Sequence, residues 1–181
     1  ECVIKLAETQ RCSFILLGRS KVEDEPPWAS AAGDDKTRLK EEAMKALVDS
    51  GEKPTPAKVD SMTGNVEAAR KIRNTLERIR NTGCRAEYIS TDVTDSKNMK
   101  SAISPAVRDF GTVTGVIHGA GILADKLIEK KTSADFARVC STKINGIDAL
   151  LKCVNPKKLT HLLMFSSAAG FYGNAGQSDY A

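Results

Sequence analysis

The chain has 181 residues, of which 41% are hydrophobic and 28% are charged, as is usual for one globular domain. Its net charge of +4 comes from basic and acidic residues that are mostly interleaved, and only 5% of the residues are aromatic, which argues against a nucleic-acid-binding surface. The longest apolar runs are far shorter than the roughly 20 residues that a membrane span needs, and the first residues do not have the pattern of a signal peptide.

The 5 cysteines form an odd set without a C-x-x-C pair. Neither a disulfide framework nor a zinc site is therefore predicted, and a reducing cytoplasm is the expected location. Composition and charge together predict a soluble protein that binds no metal, no nucleic acid and no membrane.

Short apolar runs alternate with helical patterns along the chain, which predicts an α/β fold. Residues 1–11 have the pattern of a helix end, and residues 13–17 form the first predicted strand, which the turn Gly18-Arg19-Ser20 follows. The next segment, about 22–61, is rich in proline and acidic residues and has a helical pattern at 37–48. We interpret it as an insertion within a single domain that comprises residues 1–181.

Three further strands are predicted, each after a helical segment. The helices are expected at 64–82, from an N-cap at Ser96 onwards, and at 133–153, and the strands at 85–89, 112–118 and 161–165. This order fits part of a doubly wound parallel sheet of the Rossmann type, in which ligands lie at the carboxyl ends of the strands. Polar clusters follow all four strands: Arg19 and Ser20, Asp92 and Val93, Gly119-Ala120-Gly121, and Ser166 and Ser167.

Several of these residues have two interpretations. Arg19 suits the 2′-phosphate of a dinucleotide but also an ordinary surface turn, and Asp92 could accept a hydrogen bond from an adenine amino group or cap the next helix. The run that begins at Gly119 superficially fits a dinucleotide-binding fingerprint, but it follows the third strand and we discount that match. His118 and His161 lie in or beside strands, where packing is expected and catalysis is not.

Three residues near the end of the chain could together reduce a carbonyl group. Tyr180 can give a proton at neutral pH, a nearby Lys143 cation would favour the phenolate that remains, and Ser167 could hold the substrate oxygen. Each residue alone could equally be a loop tyrosine, a surface lysine or a strand-end serine. The segment with Gly170, Gly173 and Gly176 between the serine and the tyrosine is predicted to be a flexible loop over a pocket.

The stretch from Gly115 to the end of the chain resembles the ketoreductase domains of polyketide synthases and polyunsaturated fatty acid synthases, within the short-chain dehydrogenase/reductase superfamily. In that family the catalytic lysine stands in K-x-x-G, the catalytic serine is the second of F-S-S, and the catalytic tyrosine lies in G-Q-x-x-Y-A. The resemblance implies that Lys143, Ser167 and Tyr180 are catalytic. The insertion is most similar to the polyunsaturated fatty acid synthase branch.

The same resemblance implies a cofactor site and a substrate site. NADPH would contact Arg19 and Ser20 through its 2′-phosphate, Asp92 and Val93 through its adenine, and Gly119, Ala120 and Gly121 at its nicotinamide end. The substrate would lie near Asp125 and Gln177. Because Asp125 ends an L-x-D motif and Tyr172 replaces the tryptophan of the opposite class, the 3R hydroxyl product is expected.

The resemblance also implies the activity and the partners. The expected reaction is NADPH-dependent reduction of a 3-oxoacyl group, tethered to an acyl carrier protein through phosphopantetheine, beside other domains of the same synthase. A non-catalytic structural domain and a methyltransferase-like domain remain alternatives. The family's glycine-rich phosphate loop would precede Glu1, and an asparagine and further strands would follow Tyr180, so the chain is expected to be a fragment truncated at both ends.

Overall fold

Within residues 1–180, which the computed structural model describes, four strands alternate with helices in the predicted order, and they form two separate parallel pairs. The strands are β1 (Phe14–Gly18), β2 (Ala86–Ser90), β3 (Gly115–His118) and β4 (His161–Met164). The α-helices are α1 (Cys2–Thr9), α2 (Pro27–Ala32), α3 (Lys36–Asp49), α4 (Pro56–Asn81), α5 (Ser96–Phe110), α6 (Ser133–Cys140), α7 (Gly146–Cys153) and α8 (Ala169–Tyr172). The α/β fold class is confirmed. Ala181, which ends the G-Q-x-x-Y-A motif, lies outside the described residues.

The chain forms two compact units, Glu1–Ser90 and a second that begins at Thr91. In the first unit, β1 pairs with β2 in parallel, from Phe14 opposite Ala86 to Gly18 opposite Ser90. Both strands therefore end at the same edge. Helices α1 and α4 cover this pair, and the shared core consists of Ile4, Ala7, Phe14, Leu76, Ile79, Cys84 and Ala86.

The segment predicted as an insertion contains two helices of the first unit, of which the sequence pattern predicted only α3. Asp35 caps α3, because its carboxylate accepts hydrogen bonds from the backbone N–H groups of Thr37 at 2.8 Å and Arg38 at 3.2 Å. Both helices pack on α4 through small and aliphatic side chains, among them Ala29, Leu39 and Val66. Burial of this apolar face explains why a proline-rich, acidic segment folds here.

Helix α4 begins at Pro56, earlier than the predicted start at residue 64. Thr55 is the N-cap, with its hydroxyl accepting from the N–H of Lys58 at 3.4 Å, and Pro56 occupies the first helical turn. Proline at this position loses no helical hydrogen bond and has a suitable φ angle. The motif GEKPTP thus ends one helix and starts the next.

In the second unit, β3 pairs with β4 in parallel, from Gly115 opposite His161 to His118 opposite Met164. Asp95, and neither Ser96 nor Asp92, caps α5, because its carboxylate accepts from the N–H of Asn98 at 3.1 Å. The buried face of α5 is Met99, Ile103 and Ala106. The predicted cap at Ser96 was therefore wrong by one residue, although the helix itself is where the pattern placed it.

Parts of the second unit are exposed: Phe136 of α6 is 49% exposed, and the residues of β4 are all exposed. A short helix, α8, replaces part of the predicted loop after Ser167. No helix within residues 1–180 combines the length and the apolar character that crossing a membrane requires.

Candidate active site

Lys143 lies in a single turn of π-helix, Ser141–Asn145, between α6 and α7. The predicted continuous helix is therefore interrupted at the candidate lysine. A π-turn re-aims side chains locally and is frequent at functional sites. The helix that leads into it starts with a capping box, in which Thr132 accepts from the N–H of Asp135 at 3.1 Å and Asp135 accepts from the N–H of Thr132 at 3.2 Å.

The ammonium of Lys143 is held close to the phenol of Tyr180. Its Nζ donates a hydrogen bond to the backbone carbonyl of Phe165 at 2.9 Å and lies 5.8 Å from the centre of the Tyr180 ring. Gly121 faces the same space, because a Cβ placed on it would lie 3.3 Å from Lys143 Cε and 3.7 Å from Tyr180 Cε2. The structure thus brings together three residues that the sequence analysis had selected.

Ser167 follows β4 just beyond the carbonyl that Lys143 binds, and it is half-buried. Its Oγ accepts a hydrogen bond from the backbone N–H of Ala169 at 3.1 Å, at the start of α8. A hydroxyl that accepts in this way keeps its own proton for donation. The predicted role of Ser167 as donor to a substrate oxygen is compatible with this arrangement.

The segment that carries Tyr180 is fixed by a buried ion pair that the sequence analysis missed. Asp179 binds the ammonium of Lys131 at 2.5 Å, and Lys131 also donates to the carbonyl of Ala124 at 3.1 Å. The Tyr180 N–H donates to the carbonyl of Gln177 at 3.1 Å. Only the adjacency of Asp179 to Tyr180 could have pointed to this pair from sequence.

The two predicted substrate residues, Asp125 and Gln177, are in direct contact. The amide of Gln177 donates to Asp125 Oδ2 at 2.9 Å and accepts at 2.9 Å from the amide of Asn174. The backbone N–H of Lys126 donates to the carbonyl of Gly176 at 3.0 Å. The glycine-containing segment is therefore tied to the L-x-D motif, and the contact of either residue with substrate stays a prediction.

Predicted cofactor residues of the second unit lie at and after the strand ends. Gly119, Ala120 and Gly121 follow β3 directly, and an added Cβ at Gly119 would meet only the ring of Phe165, at 3.6 Å. Asp92 accepts from the N–H and the hydroxyl of Thr94 at 2.8 and 2.7 Å. Val93 lies against α7, because a Cβ on Gly146 would be 3.2 Å from its Cγ2.

Arg19 and Ser20 follow β1 in the first unit, and Arg19 is exposed. Their backbone is fixed from β2, because Tyr88 donates to the carbonyl of Ser20 at 2.7 Å and Ser90 donates to that of Arg19 at 3.3 Å. Burial raises the pKa of the Tyr88 phenol, which keeps it protonated as a donor. The turn is therefore held through its backbone carbonyls, and the guanidinium of Arg19 faces solvent.

Known proteins resemble this chain over nearly all of its length. The family model of the KR domain matches residues 2–181. One component of the polyunsaturated fatty acid synthase of Thraustochytrium sp. (strain ATCC 26185 / S-3) is 41% identical over 174 residues, which are 93% of this chain and 6% of that protein. The chain therefore spans a small part of this relative.

Solved structures show the same fold. A ketoreductase domain from the bacillaene assembly line is 25% identical, with a TM-score of 0.57 over 93% of this chain and 36% of its own. Carveol dehydrogenase from Mycobacterium avium, in complex with NAD, is 14% identical, with a TM-score of 0.63 over 98% of this chain and 53% of its own. The chain therefore belongs to the KR domain family, the ketoreductase domains of polyketide and polyunsaturated fatty acid synthases that have the short-chain dehydrogenase/reductase fold.

Proposed function

We propose that this domain uses NADPH to reduce a 3-oxoacyl group, carried by an acyl carrier protein, to the 3-hydroxyacyl product. The observation that carries the proposal is the convergence of Lys143, Tyr180 and the Cβ-free Gly121. A cation, a phenol and an open backbone surface in one place are what protonation of a carbonyl oxygen requires. Membership of the KR family supports ketone reduction as the reaction.

The residues present fit a nicotinamide cofactor. A side chain at Gly121 would enter the space beside Lys143 and Tyr180, so the glycine leaves room for a flat ring there. At the carboxyl end of β1, Arg19 presents an exposed guanidinium, the group that suits a 2′-phosphate. Arg19, Ser20, Asp92, Val93, Gly119, Ala120 and Gly121 are the residues that we propose hold NADPH.

Tyr180 is the proposed proton donor to the substrate oxygen, and Ser167 donates a second hydrogen bond to the same atom. The bound cofactor supplies the hydride for the carbonyl carbon. Lys143, whose Nζ lies 5.8 Å from the centre of the Tyr180 ring, stabilises the phenolate that forms as the proton leaves. Proton transfer by a positioned group contributes about 10²–10⁴-fold to such rates, and one oxyanion donor about 10²–10³-fold.

The relatives support the proposed partners, and the substrate is part of the proposal. The chain spans 6% of the polyunsaturated fatty acid synthase component that it resembles, which supports other domains of one synthase as partners. We propose an acyl chain on the phosphopantetheine of an acyl carrier protein as substrate, Asp125 and Gln177 as residues near it, a 3R product, and a cytoplasmic location.

Replacement of Tyr180 by phenylalanine in the intact protein that carries this sequence tests the proposal. We expect kcat for reduction of a 3-oxoacyl thioester to fall by about 10²–10⁴-fold, measured by the loss of NADPH absorbance. Tyr172→Phe is the matched control, because the Tyr172 side chain is 82% exposed. Wild-type turnover by the Tyr180→Phe variant would refute the proposal.

The alternative of a non-catalytic structural domain makes a different prediction for the same protein. It predicts no turnover of any 3-oxoacyl thioester by the parent protein, whether or not NADPH fluorescence changes on binding. The presence of all three residues, Lys143, Ser167 and Tyr180, favours the catalytic proposal, and the first and the last of them lie close together.

A further inference from the structure

His118 ends β3 and is 3% exposed, so its ring lies inside the second unit. Its Nε2 is 3.0 Å from the backbone carbonyl oxygen of Lys143. A carbonyl oxygen only accepts hydrogen bonds, so Nε2 must carry the proton that this bond uses. The ring is thus a donor to the backbone of the candidate catalytic lysine.

His118 donates to a carbonyl of the π-turn that shares its backbone N–H donor with a second carbonyl. The N–H of Gly146 is directed at two carbonyls, those of Lys143 and Ser141, so neither receives an undivided backbone donor from it. His118 supplies the Lys143 carbonyl with a donor of its own. With this bond the Lys143 carbonyl has a side-chain donor in the π-turn, which stands where the sequence pattern predicts a regular helix.

Gly146 makes room for the histidine ring. A Cβ on Gly146 would lie 3.0 Å from His118 Cε1 and 3.2 Å from Val93 Cγ2, closer than ordinary van der Waals contact. The ring therefore packs directly against the backbone of α7. The close packing of the His118 ring therefore explains why a glycine stands at this position of the K-x-x-G motif.

Three hydrogen bonds join His118, Lys143 and Phe165 in a closed ring. The Phe165 N–H donates to the His118 carbonyl at 3.0 Å, the Lys143 ammonium donates to the Phe165 carbonyl at 2.9 Å, and His118 Nε2 donates to the Lys143 carbonyl at 3.0 Å. Both the backbone and the side chain of the lysine are thereby fixed to the ends of β3 and β4.

We infer that His118 is a positioning residue for Lys143: its Nε2–H holds the π-turn so that the ammonium stays between the Phe165 carbonyl and the Tyr180 ring. The inference rests on the proposed function, because it assigns Lys143 a place in the reduction. His118 itself touches no reacting atom. Its loss should therefore lower kcat by misplacing the cation while the KM for the acyl substrate stays unchanged.

The test compares three substitutions of His118 in the intact protein. His118→Leu removes the donor, His118→Gln places an amide N–H near the position of Nε2, and His118→Asn carries the same amide on a shorter side chain that stops near Nδ1. We expect kcat to fall about 10-fold to 100-fold in the Leu and Asn variants and to stay within about threefold of the parent in the Gln variant. The KM for the acyl substrate should change less than about twofold.

His161→Leu is the matched control, because His161 is the chain's other histidine and is exposed. Within the described residues 1–180, its ring forms a hydrogen bond only with the neighbouring Thr160. Thermal unfolding identifies a variant that fails to fold. If His118→Leu unfolds, the Gln and Asn variants still decide, since they differ by one methylene. Equal kcat values for Gln and Asn, an unchanged kcat for a folded Leu variant, or a change confined to KM would each overturn the inference.

The parent protein and the Tyr180→Phe variant separate this inference from the proposed function. An inactive parent contradicts the proposed function whatever the histidine variants do. An active parent that loses activity in Tyr180→Phe but not in His118→Leu or His118→Asn retains the proposed function and removes only the positioning role of His118.

Discussion

The ammonium of Lys131 and the carboxylate of Asp179 form an ion pair at 2.5 Å, and their side chains are 5% and 0% exposed. The second carboxylate oxygen of Asp179 is buried and has no hydrogen-bond donor among the described residues 1–180. Because Asp179 directly precedes Tyr180, the pair connects the segment before α6 to the proposed proton donor. When one of two paired buried charges is removed, the other stays buried without its partner, which lowers the free energy of unfolding.

Removal of one partner should therefore destabilise the protein. We expect Lys131→Met or Asp179→Leu to lower the free energy of unfolding by about 3–5 kcal/mol, because each leaves an uncompensated buried charge. The double variant Lys131→Met/Asp179→Leu should recover most of this loss, since it leaves no charge unpaired. Urea unfolding of all three variants measures the coupling, and additive losses in the double variant would contradict it.

Arg19 should make the protein prefer NADPH, which carries a 2′-phosphate, to NADH. A charge-assisted hydrogen bond to a phosphate contributes about 1.5–3 kcal/mol, so Arg19→Ala should raise the KM for NADPH roughly tenfold or more. The KM for NADH should stay near its original value, because NADH has no 2′-phosphate. Steady-state kinetics with both cofactors measures the ratio. Arg11→Ala, at an exposed site before β1, is the control, and a parallel change in both KM values would rule out this role.

Hydrophobic periodicity predicted the strands well because each is a short apolar run that ends in glycine or polar residues. Residues 13–17 were predicted for β1, which spans Phe14–Gly18. The start of α4 was missed because proline both stops and starts helices. At Pro56 the starting role prevails, since Thr55 caps the first turn.

The candidate site was predictable as far as local motifs extend. Lys143, Ser167 and Tyr180 stand in recognisable contexts, and Lys143 and Tyr180 do come together. The π-turn around Lys143 accepts a hydrogen bond from a histidine 25 residues earlier, and the ion pair beside Tyr180 joins residues 48 apart. Helical periodicity reflects only the local sequence and not such tertiary contacts, so it predicted a regular helix around Lys143.

Gly121 should not tolerate a larger side chain. The Cβ of an alanine would lie 3.3 Å from Lys143 Cε, which a small shift of the flexible lysine can relieve, whereas the branches of valine would reach further into the same space. We expect Gly121→Ala to reduce kcat a few-fold and Gly121→Val to reduce it by about 100-fold, through displacement of the lysine.

Gly115→Ala is the matched control for Gly121, because its Cβ would meet nothing nearer than His161 Cβ at 3.8 Å. Thermal unfolding should be similar for all three glycine variants. An active Gly121→Val variant would show that the space beside Lys143 is not used in the reaction.

Asp135 should make the stability of the second unit depend on acid pH. The ammonium of Lys126, followed by the hydroxyl and the N–H of Thr132, holds the pKa of Asp135 well below its ordinary value of 3.8. A carboxyl whose pKa is lower in the folded protein stabilises the fold above that ordinary value and loses this contribution as the pH falls towards the folded pKa. Asp135→Asn should therefore lower Tm at pH 7, and the difference from the parent should shrink below pH 3.8. Asp148→Asn is the control, because its ion pair with Lys152 is exposed and contributes little. A Tm difference that is the same at pH 7 and at about pH 3 would contradict the assignment.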